Sequence, residues 1–128
     1  MRHQRNRLIE LNIGEHQTRS HVLRSMLTNL IKYGRVTTTD KKAKALKAYA
    51  DHFFARLIGY TADKQEADSK RESIKFVKSV VWTEEEGKKV LNELVPNYIN
   101  SNRKGGYVTA FKLGFRKGDS AEKIMITL

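Results

Sequence analysis

The sequence predicts a single α+β domain that combines about four helices with three short strands. Two observations carry this prediction: apolar residues recur at helical spacing in four segments, and they alternate at the period of a strand near the C-terminus. A chain of 128 residues is long enough to bury a core of its own. Since no internal repeat or linker divides it, we expect one domain over residues 16–128, preceded by a basic N-terminal arm of residues 1–15.

The first two helices are predicted from an apolar face and from the residues at their ends. The first runs from Thr18 to Tyr33 and should stop at Gly34, because glycine readily takes the left-handed conformation that closes a helix. The second should be capped at its start by Thr39 and end at Gly59.

Two capping boxes predict where the remaining helices begin. Ser69 is followed three residues later by Glu72, and Thr83 by Glu86, so that each pair can satisfy free N–H groups of a first helical turn. The fourth helix is expected to stop around Pro96, since proline lacks the backbone N–H that a helix needs.

Three strands are predicted from β-branched or alternating apolar residues. They are Arg35 to Thr38, Tyr107 to Leu113 and Lys123 to Leu128. The last two are joined by about nine residues and are expected to form an antiparallel pair. Glycines flank the middle strand at Gly105–Gly106 and between Gly114 and Gly118, where sharp turns carry basic residues.

The charge of the chain predicts a polyanionic partner. Lys and Arg number 25 against 14 Asp and Glu, which gives +11 at pH 7 and a pI near 10.0. Soluble small domains manage with a net charge of about 2 to 8, so the excess favours nucleic acid. Residues 1–50 hold 11 basic and 3 acidic side chains, whereas residues 51–128 hold 14 and 11. Most of the excess positive charge therefore lies in the N-terminal part, which we expect to face the polyanion.

We expect a subset of the cations to contact phosphate, and arginine dominates it because its planar fork can bind two phosphate oxygens. The subset is Arg2, His3, Arg5, Arg7, Arg19, Arg24, Arg35, Lys42, Lys44, Arg103, Lys104, Arg116 and Lys117. The alternative for these residues is a solvated helix face. We accept that alternative for six lysines, most of which have acidic neighbours: Lys64, Lys70, Lys75, Lys78, Lys88 and Lys89.

Four lysines crowd the first two turns of the second helix: Lys41, Lys42, Lys44 and Lys47. A positive charge at a helix N-terminus opposes the helix dipole, so local helix stability does not explain them. A bound anion would explain why lysines stand at this position.

Catalytic chemistry has little support in this sequence. There is no cysteine for a disulfide or a thiolate zinc site, and the four histidines lack the spacing of a metal site with a carboxylate. The acidic run from Glu84 to Glu86 is typical of a first helical turn, and Gly114 to Gly118 lacks the spacing of a phosphate-binding P-loop. We predict no catalytic residue, metal, cofactor or small-molecule substrate.

Aromatic residues and hydropathy add two expectations. Trp82 and the Phe53–Phe54 pair are expected in the core rather than as platforms for stacked bases. No apolar run approaches the roughly 18 residues of a membrane helix, and the N-terminus lacks the apolar stretch of a secretory signal. We therefore expect a cytoplasmic protein with no membrane partner.

Three blocks of sequence carry a resemblance to a known family. They are Met1-Arg2-His3, then Thr38-Thr39 with Lys42-Ala43-Lys44 and Leu46, and finally Leu91-Asn92-Glu93-Leu94 and Pro96 through Gly105-Gly106-Tyr107 to Leu113-Gly114-Phe115-Arg116 and Gly118-Asp119. In this order, the blocks resemble the bacterial large-subunit ribosomal protein seventeen family, and the last block is the specific one. The likeness covers nearly the whole chain.

The resemblance implies a compact α+β domain whose helices pack on a small three-stranded mixed sheet. It also implies a non-catalytic role in the large ribosomal subunit, with binding to ribosomal RNA near the peptide exit tunnel and contacts to neighbouring large-subunit ribosomal proteins. Such proteins recognise phosphates and the shape of folded RNA more than base sequence. A bacterial ribosome is favoured over an organellar one, because no Arg/Ser-rich leader opens the chain.

One alternative stays open, a general nucleic-acid-binding architectural protein outside the ribosome. Residues 18–58 show no helix-turn-helix spacing, which disfavours sequence-specific DNA recognition. A small RNA-modifying or nucleotide enzyme is a third class, but the sequence offers it no nucleophile, base or metal ligands.

Overall fold

A computed structural model of the chain describes residues 16–62 and 66–128. In chain order the elements are α1 (His16–Tyr33), β1 (Arg35–Thr39), α2 (Asp40–Ala62), α3 (Glu66–Val80), α4 (Glu84–Lys89), a π-helical turn (Val90–Leu94), α5 (Val95–Asn100), β2 (Thr109–Phe115) and β3 (Glu122–Thr127). The predicted α+β class is confirmed. The predicted N-terminal arm, residues 1–15, lies outside the described residues.

The three strands form one sheet in the order β1-β3-β2, and both neighbouring pairs are antiparallel. The predicted pairing of the last two strands is therefore confirmed, but the predicted mixed sheet is wrong. β1 and β2 do run in the same direction. The C-terminal strand lies between them and runs the opposite way, so no parallel pair forms among the described strands.

The core lies between the helices and one face of β3. Ile124 and Ile126 face the helices from the middle strand and are buried. Phe54 of α2 is fully buried, and its ring centroid lies 5.2 Å from those of both Phe53 and Tyr98. The prediction that Phe53 and Phe54 are core residues is confirmed. This aromatic cluster joins α2 to α5 and to the segment before β2.

The end of α1 confirms one glycine prediction, and the end of α2 contradicts the other. Gly34 has φ 77, the left-handed region, and closes α1. The N–H of Leu128 donates to the carbonyl oxygen of Gly34 over 3.1 Å, which ties the C-terminus to this turn. Gly59, in contrast, does not end α2, because the helix continues to Ala62.

Neither predicted capping box forms. Ser69 lies inside α3, where it is buried and its hydroxyl donates to the carbonyl oxygen of Tyr60 over 2.9 Å, so it ties α3 to the end of α2. Thr83 does precede α4 and has the extended backbone of an N-cap, but its side chain makes no capping hydrogen bond. The start of this helix is thus confirmed without the box.

Pro96 does not stop the last helical segment, which continues to Asn100. Proline removes one N–H and its ring clashes with the carbonyl four residues earlier. The π-helical turn precedes it, and within this turn the Val95 N–H donates to Val90, five residues back. The wider turn accommodates Pro96 in the first turn of α5, so the helix is irregular rather than broken.

Candidate nucleic-acid interface

The predicted phosphate contacts fall in three parts of the described chain. In α1 lie Arg19 and Arg24, around the start of α2 lie Arg35, Lys42 and Lys44, and in the two glycine-containing loops lie Arg103, Lys104, Arg116 and Lys117. Arg2, His3, Arg5 and Arg7 lie outside the described residues. From the second and third groups, Lys42 and Arg116 line one hollow and Lys44 lines a second one, whereas the other four residues line neither.

A basic hollow of about 250 Å³ forms where β1, α2 and the β2–β3 turn meet. Its lining includes Thr37, Thr38, Thr39, Lys42, Arg116 and Lys123. The hollow brings together two of the predicted contacts, Lys42 and Arg116, that are far apart in sequence. Lys123 belongs to it as well, because the sheet register places this residue of β3 opposite Thr39 on one side and Gly114 on the other.

Lys123 was missed by sequence reasoning, although one signal could have indicated it. In the final strand Lys123 shares its face with Met125, opposite to the face of Ile124 and Ile126. A lysine on the outer face of a strand beside a basic turn is a candidate contact. Finding its neighbours required the strand order, because β1 lies at the other end of the chain.

A second, shallower hollow of about 560 Å³ lies on the neighbouring side of α2. Lys44, Lys47 and His52 line it from the helix, and Gly105 lines it from the loop before β2. Lys44 forms an exposed ion pair with Asp40 over 3.1 Å. A pair of this kind contributes little to stability, so Lys44 can exchange its partner for a phosphate at small cost.

The loop before β2 fixes its backbone and leaves its cations exposed. The hydroxyl of Tyr107 donates to the Arg103 carbonyl oxygen over 3.3 Å. The backbone N–H of Arg103 donates to the Tyr98 carbonyl oxygen over 3.2 Å. Burial raises the pKa of Tyr98, with the nearby Arg103 acting in the opposite direction. The side chains of Arg103 and Lys104 are exposed. A buried aromatic pair therefore positions two solvent-facing charges.

The β2–β3 turn is held by a side-chain clamp between Arg116 and Asp119. The Nε of Arg116 donates to Asp119 Oδ1 over 2.9 Å, and its Nη2 donates to Oδ2. The backbone N–H of Arg116 donates to the Ala121 carbonyl oxygen over 2.7 Å. The backbone N–H of Ser120 donates to the Arg116 carbonyl oxygen over 3.0 Å. Arg116 thus has a fixed place at the rim of the basic hollow.

The clamp predicts a low pKa for Asp119. Hydrogen bonds from Arg116 and from the Ala121 N–H favour the ionised carboxylate and lower its pKa from 3.8 to about 2. Because the pKa falls on folding, the contribution of the clamp is complete above pH 3.8 and is lost as pH drops through about 2. We expect carboxyl ¹³C NMR to give a midpoint near the lower value, and a midpoint at the ordinary value would contradict the clamp.

Arg24 makes contacts that hold the fold together. Its Nε donates to the Val80 carbonyl oxygen over 3.0 Å, and its guanidinium lies 3.9 Å from the ring centroid of Trp82. His21 stacks against the same indole at 5.4 Å. Trp82 is 47% exposed, so the expectation that it is a core residue is wrong. The indole of Trp82 instead packs on the outside of α1, against His21 and Arg24. Contact of Arg24 with RNA stays a prediction.

Replacing Arg24 by alanine is expected to lower the free energy of unfolding by about 1–3 kcal/mol, because a hydrogen bond and a cation–π contact are lost. Urea denaturation of Arg24→Ala, Trp82→Ala and the double variant would measure this loss. The two substitutions should be non-additive, with a coupling of about 1 kcal/mol. Simple additivity would show that the two side chains do not stabilise each other.

Over residues 16–62 and 66–128, no three histidine or acidic side chains are grouped so that they could hold a metal ion. In the same residues, no helix combines the length and the apolar character needed to cross a membrane.

Comparison with known proteins tests the family resemblance. A family profile described as Ribosomal protein L17 matches residues 22–128. Large ribosomal subunit protein bL17 of Thermotoga maritima is 30% identical over 131 residues, which covers 100% of this chain and 94% of the relative. Its counterpart in Halothermothrix orenii is 37% identical over 110 residues, covering 86% of this chain and 87% of the relative.

A third relative is the bL17 protein of Thermodesulfovibrio yellowstonii, which is 40% identical over 108 residues and covers 84% of this chain and 73% of the relative. The profile match includes the basic hollow and both glycine-containing loops. The predicted family is confirmed. The chain therefore belongs to the ribosomal protein L17 family, a structural and non-enzymatic component of the ribosome.

Proposed function

We propose that this protein binds ribosomal RNA of the large subunit with the cations gathered around the first half of α2. The observation that carries the proposal is the convergence of both glycine-containing loops on this helix. One hollow joins Lys42 to Arg116, and the other joins Lys44 to Gly105. The cations of α2 thus lie beside Arg116 and Lys123 on one side and beside the backbone of the loop before β2 on the other.

The charge and the family support the same proposal. A net charge of +11 favours a polyanion, and the relatives carry the name of a large-subunit protein. Contacts to phosphate fix a protein on a folded RNA without reading its sequence. From the family resemblance we further propose a place near the peptide exit tunnel, in the cytoplasm.

Salt-washed large subunits test this function. Mass spectrometry is expected to find the protein in the subunits in amounts equal to other large-subunit proteins, and ultraviolet crosslinks should map to the loops and to α2. Detection in the free soluble pool alone would contradict the proposal. Equal affinity for random duplex DNA and for ribosomal RNA at matched salt would favour the architectural alternative.

Neighbouring large-subunit proteins are the second class of partner that we propose. β2 is an edge strand and is exposed along its whole length, and Phe111, Leu113 and Phe115 are 49%, 49% and 73% exposed. Exposed apolar side chains on an edge strand favour contact with another protein. Lysine crosslinking of intact subunits at the adjacent Lys112 should therefore join β2 to a neighbouring protein, and a failure to do so would contradict this contact.

A further inference from the structure

We propose that the basic hollow is a binding site for one phosphate group, filled in the assembled subunit by a backbone phosphodiester of the RNA. This inference rests on the proposed RNA binding. It goes further by assigning a single phosphate to one set of side chains, including Lys123 and the threonines of β1.

Lys42 and Lys123 are half-buried, whereas nearly every other described lysine is exposed. The remaining half-buried lysine, Lys89, has a structural explanation, because its Nζ donates to the Ile31 carbonyl oxygen over 2.8 Å. Among the described residues, neither Lys42 nor Lys123 has a hydrogen-bond or ion-pair partner of this kind. Two half-buried lysines that share one hollow favour an anion near their ammonium groups.

The nearby carboxylates do not supply that anion. Asp40 is paired with Lys44 over 3.1 Å, and Glu122 is paired with Lys112 over 3.6 Å. Asp119 is bound to Arg116 through two hydrogen bonds. Asp40 and Glu122 are thus engaged with cations outside the hollow, whereas Asp119 offsets the charge of Arg116 at its rim. The positive charges of Lys42 and Lys123 remain in the hollow.

The other lining groups suit phosphate. The register pairs Thr37 with Met125 and Thr39 with Lys123, so these two threonines share the outer face of the sheet with Lys123, and a hydroxyl can donate to a phosphate oxygen. Arg116 has five N–H donors and uses two of them on Asp119. Its clamp holds the guanidinium in place, so little side-chain freedom is lost when an anion binds.

The dimensions and the backbone are consistent with a small anion. The volume of about 250 Å³ lies below the roughly 300–1,000 Å³ of pockets for drug-sized ligands. Next to Lys123, the chain bulges between Lys112 and Gly114, and Gly114 has φ 100. A Cβ placed there would have no atom within 4 Å, so the glycine leaves space beside the lysine.

The test compares two pairs of lysines in the full-length protein. Lys42→Gln with Lys123→Gln removes the two proposed ligands, and Lys75→Gln with Lys78→Gln removes the same charge from the exposed face of α3. Binding to large-subunit ribosomal RNA is measured over a range of salt concentrations. We expect the first pair to lower the salt slope by about one and the affinity by about 10-fold, and the control pair to change both little.

A second arm uses the unmodified protein and needs no variant. Inorganic phosphate should shift the amide NMR signals of Thr38, Thr39 and Lys123, whereas chloride at equal ionic strength should not. Phosphate could shift these signals while the first pair of substitutions leaves the affinity for RNA and its salt slope unchanged. The hollow would then bind free phosphate, and its assignment to an RNA phosphate would be overturned.

Equal effects of the two lysine pairs, with strong binding by the unmodified protein, would overturn the phosphate site and leave the proposed function intact. No binding of ribosomal RNA by the unmodified protein would overturn the proposed function itself. Thermal unfolding of each variant confirms that the comparison is between folded proteins.

Discussion

Replacing Phe54 by alanine is expected to lower the free energy of unfolding by about 3–5 kcal/mol. The side chain is fully buried, and its ring contacts Phe53, Tyr98 and Tyr107 at centroid distances of 5.2, 5.2 and 6.2 Å. Truncation therefore removes buried apolar surface and leaves a cavity at the junction of α2, α5 and the segment before β2. Domains of this size have only about 5–15 kcal/mol of stability in total, so much of it would be lost.

Urea denaturation followed by circular dichroism measures this effect. The matched control is Phe115→Ala, because Phe115 is 73% exposed and lies on the edge strand. We expect the control to change the free energy of unfolding by no more than about 0.5 kcal/mol. Similar losses for both variants would show that the aromatic cluster is not the centre of the core.

Reversing the charge of three exposed cations is expected to reduce affinity for large-subunit RNA on the order of 100-fold at physiological salt. The variant carries Arg103→Glu, Lys104→Glu and Lys117→Glu. These side chains lie in the two glycine-containing loops and are exposed, and the first two stand on a backbone fixed by buried tyrosines. Each lost phosphate contact should also lower the slope of log affinity against log salt by about one.

Arg116 is left unchanged in this variant, because a glutamate there would face Asp119 and open the turn. The control reverses Lys75, Lys78 and Lys88, which are exposed on α3 and α4 and change the net charge equally. Filter binding between about 50 and 200 mM salt distinguishes the loop variant from this control. If both variants lost affinity equally, the net charge alone would account for binding.

The helices could be predicted because their signals are local. Apolar residues at helical spacing are adjacent in sequence and fix which face is buried, whatever the rest of the chain does. The ends of the helices could not be predicted so well. Ser69 donates to Tyr60 rather than to its own helix, and α2 runs past Gly59 to Ala62. A residue with a capping preference follows it only when no tertiary partner competes.

For the candidate site, too, the sequence predicts individual residues but not how they are grouped. The sequence predicted Lys42 and Arg116 from residue type and from their positions near a helix start and a turn. It could not show that they share a hollow with Lys123, since strand order sets that contact. Nor could it show that Arg24 is engaged by Trp82, because that contact joins α1 to the segment between α3 and α4, far away in sequence.

The amino-acid sequence by itself determined the fold class, the family and the kind of partner, since periodicity, composition and a specific block of residues are all readable along the chain. The tertiary structure alone decided the direction of the sheet pairs, the irregular passage through Pro96 and the grouping of cations around α2. The physical reason is distance along the chain. Contacts between remote segments depend on which strand lies in the middle of the sheet, and no local preference encodes that choice.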